Sequence, residues 1–204
     1  MLCLVTDSRR LTVAGGLVAQ ARAAVAAGID LIQVRERHLE TRALAALVAS
    51  LLEVTRGSAT RLVVNDRLDV SLACGADGVH LRADSMTAEA ARSLAPPGFL
   101  IGRSVHSAAE ARAAVEADYL VAGTVFPTAS KPHAIGLGVD GLRAIVSASP
   151  IPVLAIGGVT IDRVPAIAST GAAGIAAIGL FARDDLAESV RNTRRLFDSL
   201  KPRP

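Results

Sequence analysis

The sequence predicts an α/β fold, a single-domain (β/α)8 TIM barrel of minimal size. Short apolar segments with strand character alternate with Ala-rich segments whose apolar residues stand at helical spacing, the pattern of parallel βα units. Eight strand candidates can be counted, which is the number that closes such a barrel. The length of 204 residues lies at the low end of the range for this fold.

The strand candidates run from the amino terminus to the last quarter of the chain. In order they are Leu2–Thr6, Leu31–Arg35, Arg61–Asn65, Gly78–Leu81, Leu100–Ser104, Tyr119–Gly123, Val153–Ile156 and Gly174–Ile178. The segments between them, such as Arg42–Leu52 and Ala108–Val115, carry the apolar spacing of helices. No Gly-x-Gly-x-x-Gly follows the first strand, so an open doubly wound sheet is the less favoured alternative. No linker or change in composition divides the chain, so we expect one domain over residues 1–204.

A recurring phrase marks the junction between a helix and the following strand. It occurs as Gly28-Ile29-Asp30, Gly75-Ala76-Asp77 and Glu116-Ala117-Asp118, and more loosely as Gly171-Ala172-Ala173. A glycine just after a helix end supplies the left-handed conformation that caps the helix. The phrase returns roughly every 40 to 55 residues, about the length of two βα units, which supports the repeated architecture.

Composition narrows the classes of function. Only 2% of the residues are aromatic and Trp is absent, so the chain lacks the exposed rings on which nucleic-acid modules stack bases. The net charge of +3 comes from scattered arginines, and no basic run or membrane-length apolar run occurs. Cys3 and Cys74 have no metal-ligand spacing and indicate reduced thiols. We expect a cytoplasmic protein with no nucleic-acid or membrane partner; the oligomeric state, a homo-oligomer included, stays open.

Polar and cationic side chains gather at the carboxyl ends of the predicted strands, where barrels of this class build their active sites. Gln33, Arg35 and Arg37 alternate along one face at the end of the second strand. The other strand ends contribute Asn65, Asp66, His80, Arg82, Asp84, Ser85, Arg103, Ser104, His106, Thr128, Ser130 and Lys131. Each residue alone is compatible with a solvated rim, a helix cap or a core histidine. So many cations at one mouth would repel one another without an anion or carboxylates, so together they indicate a site.

Glycines at the ends of the last two strands predict where an anion binds. Gly157 and Gly158 precede a helix expected to begin near Thr160, so that bare backbone N–H groups and a helix N-terminus can approach a phosphate. Ile178 and Gly179 stand at the end of the eighth strand, and barrels frequently bind phosphate at these two strands. The alternative is that the glycine pair only forms the turn.

Five phrases resemble the thiamine phosphate synthase/TenI superfamily of small (β/α)8 barrels, in order and over nearly the whole chain. They are QVRER, VVNDRLDVSLACGADGVHL, IGRSVHS, DYLVAGTVFPTASK and PVLAIGGV. The thiamine phosphate synthase branch couples hydroxymethylpyrimidine pyrophosphate to a thiazole phosphate, with Mg²⁺ held by two carboxylates. The resemblance implies that the pyrophosphate and metal cluster of that branch corresponds to Arg35, Asn65, Asp66, Ser104 and Lys131.

The chain departs from the synthase branch at two places. The usual Arg-Glu-Lys is Arg-Glu-Arg here, ending at Arg37, and the second metal carboxylate falls on Ser85. One carboxylate and a hydroxyl hold Mg²⁺ more weakly than two carboxylates, and Arg82 adds a repelling charge. The phrases RER and IGRSVHS, with Arg103, instead resemble the TenI branch of thiazole tautomerases.

We therefore expect a metal-independent thiazole tautomerase, an isomerase without a cofactor that aromatises a small phosphorylated thiazole, a carboxythiazole phosphate, in thiamine biosynthesis. A proton shift needs a group that titrates near neutrality, and the resemblance assigns that role to His106. The substrate-binding set is Gln33, Arg35, Arg37, Asn65, Arg103, Ser104 and Lys131, and the phosphate-binding set is Gly157, Gly158, Ile178 and Gly179.

Other functions remain open from the sequence. The first alternative is thiamine phosphate synthase, a transferase with Mg²⁺ on Asp66, and the second is a non-catalytic regulator that binds thiazole phosphate. Another phosphate-binding barrel, such as a sugar-phosphate isomerase, is a more distant alternative. The loop Pro127–Gly138 has the Pro, Thr, Ser and Gly content of a mobile lid.

Overall fold

The computed structural model describes residues 1–12, 14–128 and 136–200. Eight parallel strands pair in chain order, and the last pairs with the first, which closes the barrel. The strands are β1 Leu2–Val5, β2 Leu31–Val34, β3 Arg61–Asn65, β4 Gly78–Leu81, β5 Leu100–Val105, β6 Tyr119–Gly123, β7 Val153–Ile156 and β8 Gly174–Ala177. This confirms the predicted (β/α)8 barrel, and the predicted strand ends differ from the observed ones by at most one residue.

Helices connect successive strands and cover the outside of the barrel. They are α1 Gly16–Ala26, α2 Thr41–Thr55, α3 Leu68–Cys74, α4 Ala88–Leu94, α5 Ala108–Ala113, α6 Gly138–Ala148, α7 Val164–Ala168 and α8 Leu186–Ser199. In α2 the buried residues Leu44, Val48, Leu51 and Thr55 recur every three or four positions, which gives the helix one face against the sheet. None of the helices in the described part of the chain has the length and apolar character of a membrane span.

The aspartates of the recurring phrase fasten strands together at the amino-terminal end of the barrel. Each stands just before an even-numbered strand, and its carboxylate accepts a backbone N–H from the start of the preceding odd-numbered strand. The bonds join Leu2 to Asp30 at 2.6 Å, Leu62 to Asp77 at 2.7 Å and Ile101 to Asp118 at 2.7 Å. The predicted left-handed glycines are also present, with φ of 84° at Gly28 and 69° at Gly75. The repeat is therefore a structural clamp at the end of the barrel opposite the polar strand ends.

The barrel interior is filled by side chains up to a polar layer. Its apolar members are Cys3, Val5, Leu31, Val63, Tyr119, Val121, Leu154 and Ala176. Gly102 also faces inward, because a Cβ there would lie 2.1 Å from Tyr119 Cζ and 2.6 Å from His80 Nδ1. Only glycine leaves room for these two rings at this level. Since strand side chains alternate, Ser104 faces inward with Gly102, and Arg103 between them faces outward.

Candidate active site

A cavity of about 550 Å³ opens at the carboxyl ends of the strands. Its wall includes most of the predicted site residues, namely Gln33, Arg35, Arg37, Asn65, Ser104, His106, Gly157, Ile178 and Gly179. Apolar side chains of Val5, Val121, Ile156 and Ala176 contribute to the same wall. The cavity therefore combines an apolar surface for a ring with polar groups at fixed positions, which is typical of small-molecule sites.

Four arginines line this cavity, against one carboxylate among the described lining residues. They are Arg10, Arg35, Arg37 and Arg82, and the carboxylate is Asp84. Burial, and next the positive charge of Arg37, lower the pKa of Arg35 below its usual value. An anionic ligand would offset this repulsion. The electrostatics of the cavity therefore favour a phosphorylated substrate.

The alternation predicted for the end of β2 explains how two of these arginines reach the cavity. Glu36, between them, is turned away and is buried. Its carboxylate accepts the Ser8 hydroxyl at 2.6 Å and the Ser8 backbone N–H at 3.1 Å. This bond ties the β1 loop to the end of β2 and places Arg10 at the same mouth. Arg10 was not among the residues predicted from the sequence, although it follows the carboxyl end of β1 as the other site residues follow their strands.

A layer of hydrogen-bonded side chains forms the polar part of the cavity floor. Gln33 Nε2 donates to Asn65 Oδ1 at 2.9 Å. The two ring nitrogens of His80 lie 3.0 Å from the Ser104 hydroxyl and 3.3 Å from the Tyr119 hydroxyl. Burial lowers the pKa of His80 to about 3, so its ring is neutral near pH 7. His80 is thus a satisfied core histidine that also positions Ser104 at the cavity.

His106 lies in the cavity wall with one ring nitrogen already committed. Its Nδ1 is hydrogen-bonded to the carbonyl oxygen of Gly123. Because a carbonyl only accepts, Nδ1 carries the hydrogen and Nε2 of the neutral ring is an acceptor. The backbone N–H of His106 donates to the Glu110 carboxylate at 2.8 Å, which ties His106 to the first turn of α5. His106 is therefore held ready to accept a hydrogen bond from a ligand.

The two glycines after β7 have left-handed backbones, with φ of 100° at Gly157 and 61° at Gly158. A Cβ on Gly157 would lie 2.5 Å from a Thr124 methyl group, so the turn itself requires glycine there. Gly157 lines the main cavity, whereas Gly158 lines an adjoining one of about 600 Å³. The helix expected near Thr160 begins as a 3₁₀ turn, Ile161–Arg163, that leads into α7. The geometry leaves both the turn and the phosphate interpretation of this pair in place.

Besides Gly158, two described residues of the predicted site do not line the main cavity. Arg103 faces outward and donates to the carbonyl oxygens of Met86 at 2.8 Å and Ala83 at 3.1 Å, so it supports the β4–α4 loop. Asp66 lines a smaller cleft of about 180 Å³ beside the cavity. Lys131 lies outside the described residues, as does most of the loop predicted to be a lid.

The residues near Asp66 do not form a site that fits Mg²⁺. Arg82 donates to Asp66 Oδ2 at 3.3 Å and also binds the Asp84 carboxylate. Ser85, at the second metal position implied by the resemblance, donates its hydroxyl to the Arg82 carbonyl at 3.2 Å. Residues 1–12, 14–128 and 136–200 hold no group of three or more His, Cys, Asp and Glu side chains suited to a metal ion. The one carboxylate at the implied metal positions, Asp66, already accepts a hydrogen bond from a guanidinium.

A family model described as thiamine monophosphate synthase matches residues 2–181. The chain belongs to this family, which also includes the TenI proteins. This confirms the superfamily expected from the sequence phrases.

Several relatives of this chain are named thiamine-phosphate synthase. The thiamine-phosphate synthase of Methanoregula boonei is 43% identical over 89% of this chain and 86% of its own length. That of Pyrococcus horikoshii is 38% identical over 90% of this chain and 89% of its own. Among solved structures, a thiamine phosphate pyrophosphorylase from Pyrococcus furiosus superposes with a TM-score of 0.86, at 37% identity, over 98% of this chain and 96% of that one. A 3-hexulose-6-phosphate synthase, at 16% identity and a TM-score of 0.71, shares the fold alone.

These relatives overturn the expected thiazole tautomerase and its classification as an isomerase; both predictions were wrong. The relatives are named as synthases, which are transferases. The structure gives a physical reason for the error. Arg103, on which the tautomerase prediction depended, contacts a loop outside the cavity. Arg37 lines the cavity, but a guanidinium there can bind the anion of either reaction.

Proposed function

We propose that this chain is a thiamine-phosphate synthase, a transferase of thiamine biosynthesis that joins hydroxymethylpyrimidine pyrophosphate to a thiazole phosphate. The names of its relatives support this proposal, at 38–43% identity over most of the chain. The observation that carries it is the cavity of about 550 Å³ with four arginines and a single described carboxylate in its wall. Both substrates of this reaction are anions with a flat ring, and the cavity offers cations and an apolar wall to each.

The reaction forms a bond between the thiazole ring nitrogen and the methylene carbon of the pyrimidine. The bond from that carbon to oxygen breaks, and pyrophosphate leaves with the electron pair. No proton has to move in this step, so the site must orient two substrates and stabilise the charge that develops on pyrophosphate. We assign the binding of that group to Arg35 and Arg37, which both line the cavity.

The remaining wall residues then divide between the two rings and the second phosphate. The Gln33–Asn65 pair and Ser104 offer donors and acceptors to the pyrimidine, and His106 Nε2 accepts from a ligand N–H. Gly157, Ile178 and Gly179 form the part of the wall assigned to the thiazole phosphate. A Cβ on Gly179 would meet no atom within 4 Å, so there is open space beside its backbone for a phosphate.

The proposal is tested by incubating the purified chain with both substrates and MgCl₂ at neutral pH. We expect thiamine phosphate and pyrophosphate to appear in equal amounts. Arg35→Ala removes a cation from the wall and should lower kcat/KM by roughly two orders of magnitude. Arg56→Ala is the matched control, since Arg56 is an exposed residue that pairs with Glu53 on α2. Absence of thiamine phosphate from a folded protein that binds thiazole phosphate would contradict the proposal and indicate a binding protein.

A further inference from the structure

The guanidinium of Arg82 lies between two carboxylates at the edge of the cavity. It donates to Asp66 Oδ2 at 3.3 Å, and its other terminal nitrogen binds the carboxylate of Asp84. Arg82 lines both the main cavity and the small cleft that contains Asp66. The guanidinium is therefore part of the wall that a ligand in the cavity would meet.

The backbone holds Asp66 in place for this pair. Asp66 has φ of 61°, a left-handed conformation that aspartate tolerates, and its N–H donates to the His80 carbonyl at 2.9 Å. One carboxylate oxygen, Oδ1, is buried without a hydrogen-bond partner among the described residues. The other oxygen is bound to Arg82. Asp66 therefore offers a cation one carboxylate oxygen, and Mg²⁺ would have to take its other octahedral ligands from water and phosphate.

The charges at this corner balance without a metal ion. Arg37 and Arg82 both line the small cleft that contains Asp66. Two guanidinium groups and two carboxylates carry no net charge, and the same holds for one divalent cation between two carboxylates. Arg82 has five N–H donors, and two of them bind Asp66 and Asp84. Three donors remain for phosphate oxygens.

We propose that Arg82 supplies from the chain itself the positive charge that a divalent cation would bring to pyrophosphate, so that pyrophosphate binds this site without a metal ion. The inference rests on the proposed function, because it concerns the leaving group of that reaction. When the carbon–oxygen bond breaks, the electron pair passes to pyrophosphate, and the guanidinium groups of Arg82, Arg35 and Arg37 stabilise that charge by charge-assisted hydrogen bonds. Asp66 and Asp84 act as positioning residues that orient the Arg82 fork.

The test measures binding of inorganic pyrophosphate to the full chain by calorimetry, once in EDTA and once in MgCl₂. We expect wild-type Kd values in the two conditions to agree within roughly threefold. Arg82→Ala should weaken binding in EDTA by roughly tenfold or more, the usual effect of losing a charged hydrogen-bond donor. Arg56→Ala should bind as wild type does. If Arg82→Ala does not fold, Arg82→Lys, which keeps the charge but loses the fork, should bind in EDTA with an intermediate Kd.

Two results would overturn the inference. One is wild-type binding of pyrophosphate that requires MgCl₂, and the other is unchanged binding by Arg82→Ala in EDTA. A direct readout is Mn²⁺ binding followed by electron paramagnetic resonance, which should be undetectable for wild type at millimolar Mn²⁺ without pyrophosphate. The proposed function fails differently, through absence of thiamine phosphate in MgCl₂ even though pyrophosphate binds.

Discussion

His80 is the residue whose burial has the clearest energetic consequence. Its side chain is 2% exposed, and its ring is hydrogen-bonded to Ser104 and to Tyr119 inside the barrel. Burial lowers its pKa from 6.5 to about 3, because the charged imidazolium loses its hydration there. The folded protein therefore contains a neutral histidine over a range of pH in which the unfolded chain takes up a proton.

Stability should therefore fall with pH below the unfolded pKa of histidine. Above pH 6.5 both states are neutral at His80, and between pH 6.5 and about 3 only the unfolded chain binds the proton. At pH 4.5 this one group should cost about 3 kcal/mol of unfolding free energy. Urea denaturation at pH 7.5 and pH 4.5 measures the loss, and His80→Gln serves as the comparison because glutamine does not titrate. Equal losses in the two proteins would contradict the assignment.

Residues of the fifth strand show what local sequence could and could not predict. The cluster of polar residues in IGRSVHS placed a site at the end of β5, and the structure does bring Ser104 and His106 into the cavity. The sequence did not show which face of the strand each residue occupies. Gly102 determines which residues of the strand face the interior. It must lie on the inner face, because no Cβ fits there beside Tyr119 and His80. The outward position of Arg103 follows from a contact between three strands, which the phrase itself does not contain.

At the scale of whole elements, the recurring aspartates secure the end of the barrel away from the cavity. Asp77 accepts the Leu62 N–H at 2.7 Å and forms an ion pair with Arg61 at 2.9 Å. The repeat was visible in the sequence because each clamp uses the same short phrase before a strand. The structural role of the repeat was not visible in the sequence, because the partner N–H groups lie on strands about 15 to 30 residues away. Sequence periodicity located the junctions, and pairing between strands explains their chemistry.

Removal of one clamp should reduce stability and leave the catalytic step unchanged. Asp77→Ala leaves the Leu62 N–H without its acceptor, which typically costs about 1–3 kcal/mol. Urea denaturation gives this loss, and synthase assays at a temperature where the variant is folded should give the wild-type kcat. Asp140→Ala is the control, since Asp140 is 97% exposed and pairs with Arg143 within α6. A change in kcat with no change in stability would show that the clamp acts on the site.

For the whole molecule, the barrel was predictable and the reaction was not. Alternating strands and helices are local patterns that suffice to specify the closed sheet. Arg82 and Ser85 change the charge at one corner of the cavity, and from these positions the sequence pointed to the wrong reaction. The proposed reaction would depend on which substrates fit in a cavity of about 550 Å³. That shape is formed by the wall residues of all eight strands together, and no single phrase encodes it.

The distribution of charge over the molecule leads to a prediction about salt. The net charge is only +3, whereas four arginines line one cavity, the proposed substrate site. Potassium chloride screens such charges, so raising it from 50 to 500 mM should lower kcat/KM for the pyrophosphate substrate and leave kcat nearly constant. Arg35→Ala should show a shallower dependence on salt, and Arg56→Ala the wild-type dependence. Each variant loses one positive charge, but only the charge of Arg35 lies in the cavity. Equal slopes for all three proteins would therefore mean that the cavity arginines do not attract the substrate.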